Sequence, residues 1–496
     1  MAAPSLTLQT HREALGELCV GVTGDMDTLV TGACADSRLV QPGNLFCAIP
    51  GARQDGSAYA AAAVRQGACA VAAVRPLELV PAVPQLLVRD AYAAAGRIAE
   101  CAAGYPARRL RLLGATGTNG KTTCAYILRH LLRAHGQVPG MVGTVCYDLG
   151  DHEVEADRTT PTPFELQDLF GRMLVGGCGW AVLEMSSHAL AQRRAGSARF
   201  AGALFTNLTG DHLDYHQTME AYFEAKVLLF TEYLEPGAPA VINVDDPYGR
   251  RLAERLSRAG VVRLVTVGSA AADSAWQDVR LGFAGCRFRL RLGAAEVEID
   301  SPLIGQHNVA NLACAAALAH ACGIPAPLIA AALRECRGAP GRLQVLSSPH
   351  GLAAYVDYAH TDDALENVLK ALRLLHPRRL LVVFGCGGDR DRTKRPRMGA
   401  VAARLADRVF VTSDNPRTEA PEAIIAEILA GIPAGTPVQV DADRRQAIAQ
   451  AVAEAGPGDI VLVAGKGHEP YQEIHGVKHP FDDVCEVRKA MGLEPG

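Results

Sequence analysis

Several patterns that set special classes of protein apart are missing from this sequence. The chain has 496 residues and a net charge of −4, without a long basic run, which argues against a nucleic-acid-binding surface. No stretch of about eighteen consecutive apolar residues occurs, so we expect no membrane-spanning helix. The opening segment also lacks the basic and apolar regions of a secretory signal peptide. We therefore expect a soluble protein located in the cytoplasm.

The fourteen cysteines form no C-x-x-C pair and lie in apolar or helical surroundings. Zinc sites and redox motifs require closely spaced cysteines, and disulfide frameworks are typical of short secreted chains. We expect reduced cysteines that pack mainly in the core. Apolar residues make up 49% of the chain and charged residues 21%, which is an ordinary globular balance. The length suggests roughly three domains.

A glycine-rich segment, Gly114–Thr123, follows a short apolar strand and precedes a predicted helix. Glycine lets several backbone N–H groups turn towards one anion, and the helix N-terminus adds a favourable dipole. In such a phosphate-binding loop Lys121 reaches the terminal phosphates and Thr122 offers its hydroxyl to Mg²⁺. Ala115 replaces the first glycine of the strict pattern, so the match is relaxed by one residue. The segment predicts a nucleotide-triphosphate site.

Acidic residues follow the next two predicted strands. Glu184 ends the apolar run 180–183 and is placed to hold Mg²⁺ directly or through water. The strand 200–205 leads into a segment in which two carboxylates and two histidines occupy residues 211–216. Open α/β sheets bind their ligands at such strand ends. Zinc is the weaker alternative because no cysteine partner or H-E-x-x-H spacing is present.

Two predicted helices carry polar residues in apolar surroundings. Lys226 precedes the apolar run 227–230. A single helical lysine is usually solvated, but these neighbours indicate an amine shielded from water. Asn308 and Asn311 lie three residues apart and therefore share a helix face. Their amides either bind a purine edge or are satisfied within the core, and the spacing favours neither alternative.

The C-terminal part alternates strands and helices, which predicts a parallel, doubly wound sheet. The predicted elements are strand 380–384, helix 398–405, strand 409–412, helix 421–429, helix 444–455 and strand 460–463. Three strand ends lead into the charged loops 385–390, 413–417 and 464–469, which should gather along one sheet edge. Their mixed charges suit a zwitterionic ligand. The first loop lacks the G-x-G-x-x-G spacing, which argues against NAD binding.

Taken in chain order, these motifs resemble the Mur ligase family along essentially the whole sequence. The matching positions are Gly117–Thr123, Glu184, Asn207, Asp211, His212, Lys226, His307, Asn308, Asn311, Gly341 and Arg342. The loop 414–417, with Arg390 upstream and the segment 465–469 downstream, is similar to the members that add meso-2,6-diaminopimelate to UDP-N-acetylmuramoyl-L-alanyl-D-glutamate. The resemblance implies ATP-dependent amide formation through an acyl phosphate, with Mg²⁺, in the cytoplasmic synthesis of peptidoglycan precursors.

The resemblance also implies an α/β fold of three domains. Residues 1–103 would form a small α/β domain that binds the UDP-muramoyl acceptor, and residues 104–338 a central P-loop ATPase domain with a mostly parallel sheet. Residues 339–496 would form a Rossmann-like, doubly wound domain that binds the incoming amino acid. We expect a monomer whose partners are small-molecule substrates.

The family roles are carried over residue by residue. The catalytic positions are Lys121, Glu184, His212 and Lys226, and the metal ligands are Thr122, Glu184, His212 and Lys226 as a carbamate formed with CO₂. The ATP-binding positions are Gly117, Thr118, Asn119, Gly120, Lys121, Thr122, Thr123, Asn308, Asn311, Arg342 and Asp357. The acceptor-binding positions are Ala35, Ser37, Ala52, Arg53, Gln54, Arg158, Thr159, Thr160, Ser186, Gln192 and Arg194. The diaminopimelate-binding positions are Arg390, Asp414, Asn415, Pro416, Arg417, Gly465 and Glu469.

Four of these positions affect how the two substrates are expected to bind. Arg417 and Arg390 offer two guanidinium forks for the second carboxylate, which distinguishes diaminopimelate from lysine. Buried cations left unpaired should disfavour lysine by roughly 10⁴ or more. Arg158 stands where a small polar residue is expected, and Ala35 can contribute only backbone or apolar contact.

The residues alone leave three other functions open. One is another ligase of the same family, such as a folylpolyglutamate synthase or a different Mur enzyme, and the loop 414–417 and the matching first domain count against it. A small-molecule kinase or switch NTPase would need neither Lys226 nor the charged C-terminal loops. A nucleotide-sensing module without catalysis would not need Glu184, His212 and Lys226 together.

Overall fold

The computed structural model describes residues 6–50, 55–282, 285–347 and 351–494. The chain forms two compact units. The first comprises Met1–Ala275, Arg291–Ala295 and Asn311–Ile329, and the second Trp276–Leu290, Glu296–Ala310 and Ala330–Gly496. The predicted acceptor residues Ala52, Arg53 and Gln54 lie outside the described residues. Within the described ranges, no helix combines the length and the apolar character that crossing a membrane requires.

The N-terminal part of the first unit is built on a five-stranded sheet. Its strands, in spatial order, are Cys19–Thr23, Gln85–Val88, Ala70–Ala73, Asn44–Cys47 and Gly32–Cys34. A small antiparallel pair joins Leu6–Thr7 to Leu29–Val30, and the helices are Leu8–Leu15, Ala60–Arg65 and Ala91–Ala102. Strands Asn44–Cys47 and Ala70–Ala73 are buried along their whole length, as parallel strands covered on both faces are.

The central part of the first unit holds the phosphate-loop segment in a mostly parallel sheet. The strand order is Glu153–Glu155, Cys146–Asp148, Pro139–Val142, Trp180–Glu184, Arg111–Thr116, Phe200–Phe205, Pro239–Asn243 and Arg263–Gly268. The first two pairs in this order are antiparallel, and all later neighbours are parallel. The register pairs Glu184 with Ala115, and Phe205 with Thr116. Glu184, the phosphate loop and the segment after Phe205 therefore lie at one edge of the sheet.

Helices alternate with these strands along the chain, and a strand hairpin follows them. The helices are Lys121–Ala134, Pro163–Val175, Ser187–Ala191, Leu213–His216, Met219–Leu228, Pro247–Ala259, Gln306–Ala321 and Ala326–Leu333. Helix Pro163–Val175 begins with a capping box formed by Thr162 and Glu165, which satisfies free N–H groups of its first turn. Strands Ser274–Gly282 and Gly285–Leu292 pair antiparallel, and strand Ala295–Ser301 follows.

The C-terminal part belongs to the second unit and contains a six-stranded sheet. The strand order is Gln344–Ser347, Ala353–Asp357, Ile460–Ala464, Leu380–Phe384, Arg408–Val411 and Val438–Val440. Only the pair at the Gln344–Ser347 edge is antiparallel. The helices are Asp362–Arg373, Lys394–Leu405, Pro421–Leu429, Arg444–Glu454 and Asp483–Ala490. The prediction of a parallel, doubly wound sheet is confirmed.

Several elements of this part differ from the sequence prediction. Helix Lys394–Leu405 begins four residues before the predicted position 398, because Pro396 lies in the first turn, where proline is tolerated. Strands Tyr471–Ile474 and Val477–Pro480 form an antiparallel hairpin that the sequence pattern did not predict. The fourteen cysteines are free thiols, and most are buried, as predicted.

Candidate functional site

Glycines of the phosphate loop adopt conformations that other residues avoid. Gly117 has φ 146° and Gly120 has φ 87°, and both lie in the region that L-residues rarely enter. A Cβ at Gly117 would overlap the hydroxyl oxygen of Thr206, and one at Gly120 would overlap the amide oxygen of Asn311. The loop therefore requires glycine at both positions for its shape and for its close packing.

Neighbouring segments hold the phosphate loop in place. The N–H of Thr118 donates to the carbonyl of Asn207 at 2.9 Å, and the N–H of Asn119 donates to the side-chain oxygen of Asn207 at 3.0 Å. Lys121 Nζ donates to the carbonyls of Gly117 and Thr118 at 2.9 and 2.8 Å. Its amine thus lies over the loop, where the phosphates of a nucleotide are predicted to bind.

Glu184 is fully buried and is held by donors from two segments. Thr122 Oγ1 donates to Glu184 Oε2 at 2.8 Å. Thr144 contributes its backbone N–H, 2.9 Å from Oε1, and its hydroxyl, 3.1 Å from Oε2. The sequence prediction missed Thr144, because nothing in the local pattern shows that it contacts an acid forty residues later. Carboxylate and hydroxyl oxygens are ligands that Mg²⁺ prefers, so Thr122 and Glu184 suit that ion.

Lys226 is buried, with 1% of its surface exposed, which confirms the shielding predicted from its apolar neighbours. Its Nζ donates to the carbonyl of Gly117 at 2.8 Å and lies 4.5 Å from the ring centroid of Tyr222. Burial lowers the pKa of Lys226 well below 10.5, and the charge of Lys121 lowers it further. The neutral amine is therefore favoured far more than in a solvated lysine.

His212 lies on the more open side of this region, with 46% of its side chain exposed. Its Nε2 is 3.5 Å from Asp211 Oδ2, and its ring meets that of His188 edge-on at 4.9 Å. Within the described ranges, no three His, Cys, Asp or Glu side chains are arranged to hold a metal. The structure brings Thr122 and Glu184 together, while the roles of His212 and Lys226 as metal ligands stay predictions.

The predicted acceptor residues of the central part form a connected hydrogen-bonded patch. Thr160 Oγ1 donates to the carbonyl of Glu184 at 2.7 Å and accepts from the N–H of Ser186 at 3.1 Å. Thr159 Oγ1 is 3.0 Å from the hydroxyl of Thr144. Arg194 donates to Gln192 Oε1 at 2.8 and 3.0 Å. The segment 158–160, here called the acceptor segment, and the phosphate loop therefore share Glu184 as a common neighbour.

The acceptor patch also contains two neighbouring arginines. Burial lowers the pKa of Arg194, and the charge of Arg158 lowers it further. The backbone of Arg158 is fixed by the hydroxyl of Tyr147, which lies 2.7 Å from its carbonyl and 3.1 Å from its N–H. An anionic ligand nearby would offset this repulsion between the two guanidinium groups. Ala35 and Ser37 lie in the N-terminal part, where Ser37 opens a short 3₁₀ turn after Asp36.

The amides of Asn308 and Asn311 are both buried on helix Gln306–Ala321. Asn308 Nδ2 donates to the carbonyl of Ile304 at 2.8 Å, and the thiol of Cys124 lies 3.8 Å from Asn311 Oδ1. These contacts agree with amides satisfied in the core. Contact with a purine stays a prediction for both residues.

Asp357 and Arg342 are neighbours in the second unit. Asp357 accepts hydrogen bonds from the N–H groups of Leu343 at 2.7 Å and Ala359 at 2.8 Å. Burial raises the pKa of Asp357, and the charge of Arg342 opposes that change. The Arg342 guanidinium lies 4.8 Å from the ring centroid of Tyr358. Asp357, one of the predicted ATP-binding positions, is thus fixed at the end of strand Ala353–Asp357.

The predicted amino-acid site consists of loops at one edge of the C-terminal sheet. Lys466, fully buried, donates to Asn415 Oδ1 and to Glu469 Oε2, both at 3.1 Å, and Asn415 Nδ2 donates to Glu469 Oε2 at 2.8 Å. Arg417 Nη1 donates to the carbonyl of Gly388 at 2.8 Å. Arg390 is exposed and bonds the carbonyl of Asp389 at 3.3 Å.

Two further predicted residues complete these loops. Pro416 is buried between Asn415 and Arg417. Gly465 has φ 115°, and a Cβ there would lie 2.5 Å from Asp414 Oδ2, so this close approach requires glycine. The structure therefore places Asp414, Asn415, Pro416, Gly465 and Glu469 together. It also adds Lys466 and Glu473, which the predicted set of ligand-binding residues left out.

Known proteins are similar to this chain over most of its length. Three family descriptions match the chain: "Mur ligase family, catalytic domain" over residues 29–100, "Mur ligase middle domain" over 115–319, and "Mur ligase, glutamate ligase domain" over 341–467. The chain is 46% identical to the UDP-N-acetylmuramoyl-L-alanyl-D-glutamate--2,6-diaminopimelate ligase of Gloeobacter violaceus over 94% of each chain. It is also 46% identical to the ligase of the same name from Thermosynechococcus vestitus, over 91% of each chain.

A solved structure of a UDP-N-acetylmuramoyl-L-alanyl-D-glutamate--2,6-diaminopimelate ligase superposes on 99% of the chain. The match covers 99% of that chain too, with a TM-score of 0.71 and 35% sequence identity. Similarity of this extent covers all parts that carry the predicted site residues. The chain therefore belongs to the Mur ligase family of ATP-dependent ligases.

Proposed function

We propose that the chain adds meso-2,6-diaminopimelate to UDP-N-acetylmuramoyl-L-alanyl-D-glutamate in the synthesis of peptidoglycan precursors. The observation that carries the proposal is the hydrogen-bonded connection through Glu184. Thr122 of the phosphate loop bonds the Glu184 carboxylate, and Thr160 of the acceptor segment bonds its backbone carbonyl. Phosphates bound by the loop and a carboxylate bound by the acceptor segment would therefore meet at one strand end.

The chemistry requires that a carboxylate be activated before an amine attacks it. A carboxylate oxygen of the acceptor attacks the γ-phosphorus of ATP, the bond to the β–γ bridging oxygen breaks, and ADP leaves. The amine of diaminopimelate then attacks the acyl carbon, inorganic phosphate leaves, and the nitrogen loses a proton. Both partners of the first step are anions, so fixed cations are needed to offset their repulsion. Lys121 over the phosphate loop and Arg194 in the acceptor patch supply positive charge.

Mg²⁺ fits the oxygen donors that Thr122 and Glu184 present, and we include it as the cofactor. When bound, it would neutralise charge on the phosphates. Lys226 is proposed to react with CO₂, so that a C–N bond forms and one proton leaves the nitrogen. Only a neutral amine can react in this way, and the burial of Lys226 lowers its pKa accordingly. With His212, the resulting carbamate would complete the set of metal ligands.

The C-terminal loops present groups of both signs to a zwitterionic amino acid. Arg417 can donate to a carboxylate from the N–H groups that Gly388 and Glu473 do not use. Glu469 accepts from Lys466 and Asn415 and can also accept from an ammonium group. Diaminopimelate carries both groups at the end that does not react, whereas lysine lacks the second carboxylate. The site is therefore proposed to select diaminopimelate.

ADP release provides the test of this proposal. With ATP and Mg²⁺ present, sustained release is expected only when both the UDP-muramoyl dipeptide and diaminopimelate are added. Hydroxylamine added in place of diaminopimelate should yield a hydroxamate on the acceptor, which reports an acyl phosphate. Steady ADP release without an acceptor would support a simple NTPase instead.

The substrates also bear on location and assembly. ATP and a UDP-linked precursor are both metabolites of the cytoplasm, so we place the reaction there. We further propose that one chain carries out the reaction as a monomer. Light scattering of the protein under assay conditions would test this, because a dimer has twice the mass.

A further inference from the structure

The hairpin Tyr471–Ile474/Val477–Pro480 is attached to the loop that is proposed to bind diaminopimelate. Gln472 Nε2 donates to the carbonyl of Asp414 at 2.7 Å, and the N–H of Glu473 donates to Asn415 Oδ1 at 2.9 Å. The N–H of Arg417 donates to the carbonyl of Glu473 at 3.0 Å, and the N–H of His475 donates to the carbonyl of Arg417 at 2.7 Å. Four hydrogen bonds therefore join two segments that lie far apart in the sequence.

The side chain of Glu473 also holds the guanidinium of Arg417. Arg417 Nε lies 3.0 Å from Glu473 Oε2, with 19% and 27% of the two side chains exposed. Arg417 adopts φ 52°, a conformation that costs energy in a residue other than glycine. The opposite end of the guanidinium is fixed by the carbonyl of Gly388, 2.8 Å from Nη1. Both ends of this planar group are thus held by the protein.

A guanidinium has five N–H groups in one plane. Glu473 uses the Nε–H of Arg417 and Gly388 uses one Nη1–H. The bonds formed with these two neighbours leave N–H groups on Nη1 and Nη2 for a ligand. An arginine fixed in advance loses less entropy when it binds a carboxylate than a mobile one does. The contacts to Glu473 and Gly388 therefore orient Arg417 for a ligand.

We infer that Glu473 is a positioning residue that sets the preference for diaminopimelate over lysine by fixing the Arg417 guanidinium. This inference rests on the proposed function, since it deepens the assignment of the amino-acid site. Glu473 acts through Arg417 and takes no part in the transfer of the phosphoryl or acyl group. Its removal should change recognition of the second carboxylate and leave recognition of ATP unchanged.

The test compares Glu473→Ala with Glu473→Gln in steady-state kinetics. Glu473→Ala should raise the KM for diaminopimelate by about tenfold and lower the preference over lysine by a similar factor. The KM for ATP should change by less than about twofold. Glu473→Gln should restore most of the preference, because its amide oxygen can accept from Arg417 Nε. His479→Ala is the control, because His479 is exposed on the same hairpin, opposite Gln472.

Two results would overturn the inference. One is an unchanged KM for diaminopimelate and an unchanged preference in Glu473→Ala. The other is an equal rise of the KM values for ATP, acceptor and diaminopimelate in both variants, which would indicate general damage to the fold. The unmutated enzyme separates this inference from the proposed function. If it turned over without diaminopimelate, the proposed function would fail, whatever the variants did.

Discussion

Two lysines, Lys226 in the first unit and Lys466 in the second, are both buried but have different surroundings. Lys226 donates to one backbone carbonyl and faces the ring of Tyr222, and within the described ranges no carboxylate forms an ion pair with it. Lys466 donates to the Asn415 amide oxygen and to the Glu469 carboxylate. Burial of a cation without an ion pair costs stability, whereas a buried cation that is paired with a carboxylate supports its neighbours. The comparison indicates that Lys226 has a role in the reaction, whereas Lys466 stabilises the shape and the charge of the predicted amino-acid site.

The largest expected effect comes from removing the amine of Lys226. Lys226→Ala should lower kcat by about 10³-fold or more, because the proposed carbamate can no longer form. Short carboxylates such as formate should restore part of the activity by occupying the space left behind. Lys370→Ala is the control, since Lys370 is an exposed lysine paired with Glu366. Undiminished activity of Lys226→Ala would contradict a catalytic role.

The second-largest effect is expected from removing the guanidinium of Arg417 in the C-terminal loops. Arg417→Ala should raise the KM for diaminopimelate by about 100-fold, since a charge-assisted contact to the second carboxylate is lost. The KM for ATP should stay within about twofold. Arg404→Ala serves as the control because Arg404 pairs with Glu366 at the surface. Equal changes for both substrates would argue against a specific role for Arg417.

Stability should separate the two lysines most clearly. Lys466→Met should destabilise the protein by about 2 kcal/mol, because Glu469 and Asn415 lose their buried partner. Lys226→Met should raise the melting temperature instead. A lysine whose folded pKa lies below 10.5 costs stability as the pH falls below that value. Thermal unfolding at pH 7 measures the stability of both variants. A lower melting temperature for Lys226→Met would contradict the difference that we infer between the two lysines.

The smallest expected effect concerns Thr144, the hydrogen-bond donor to Glu184 that the sequence prediction missed. Thr144→Val keeps the backbone N–H but removes the hydroxyl that bonds Glu184 and lies beside Thr159. The Mg²⁺ concentration for half-maximal activity should rise by about tenfold, as when outer partners of metal ligands are removed. Thr144→Ser retains the hydroxyl and should behave like the unmutated protein. An identical response of Val and Ser variants would show that the hydroxyl is not needed.

Features that are encoded by residues close together in the sequence could be predicted. The phosphate loop is encoded by glycines that need positive φ, such as Gly117 and Gly120, and by the strand and helix on either side. Strand Leu380–Phe384 and helix Pro421–Leu429 have the predicted bounds, because apolar runs and a proline at the helix start mark them. The burial of Lys226 was also visible from its apolar neighbours.

Contacts between distant segments were not predictable in the same way. Thr144 lies forty residues before Glu184, and Glu473 lies fifty-six residues after Arg417. Neither position has a local pattern that indicates its partner, since tertiary folding alone brings them together.

Strand Val438–Val440 has three residues, which is too short to show a period of two. The assignment of ligand roles came from resemblance to a family, and those roles stay predictions.

In the proposed reaction, ATP activates the acceptor by phosphorylating its carboxylate. Labelling the D-glutamyl carboxylate of the UDP-muramoyl dipeptide with ¹⁸O tests this directly. During turnover with diaminopimelate, we expect one labelled oxygen to pass to each inorganic phosphate, which mass spectrometry of the phosphate detects. Unlabelled phosphate, formed while the tripeptide product accumulates, would contradict an acyl-phosphate pathway.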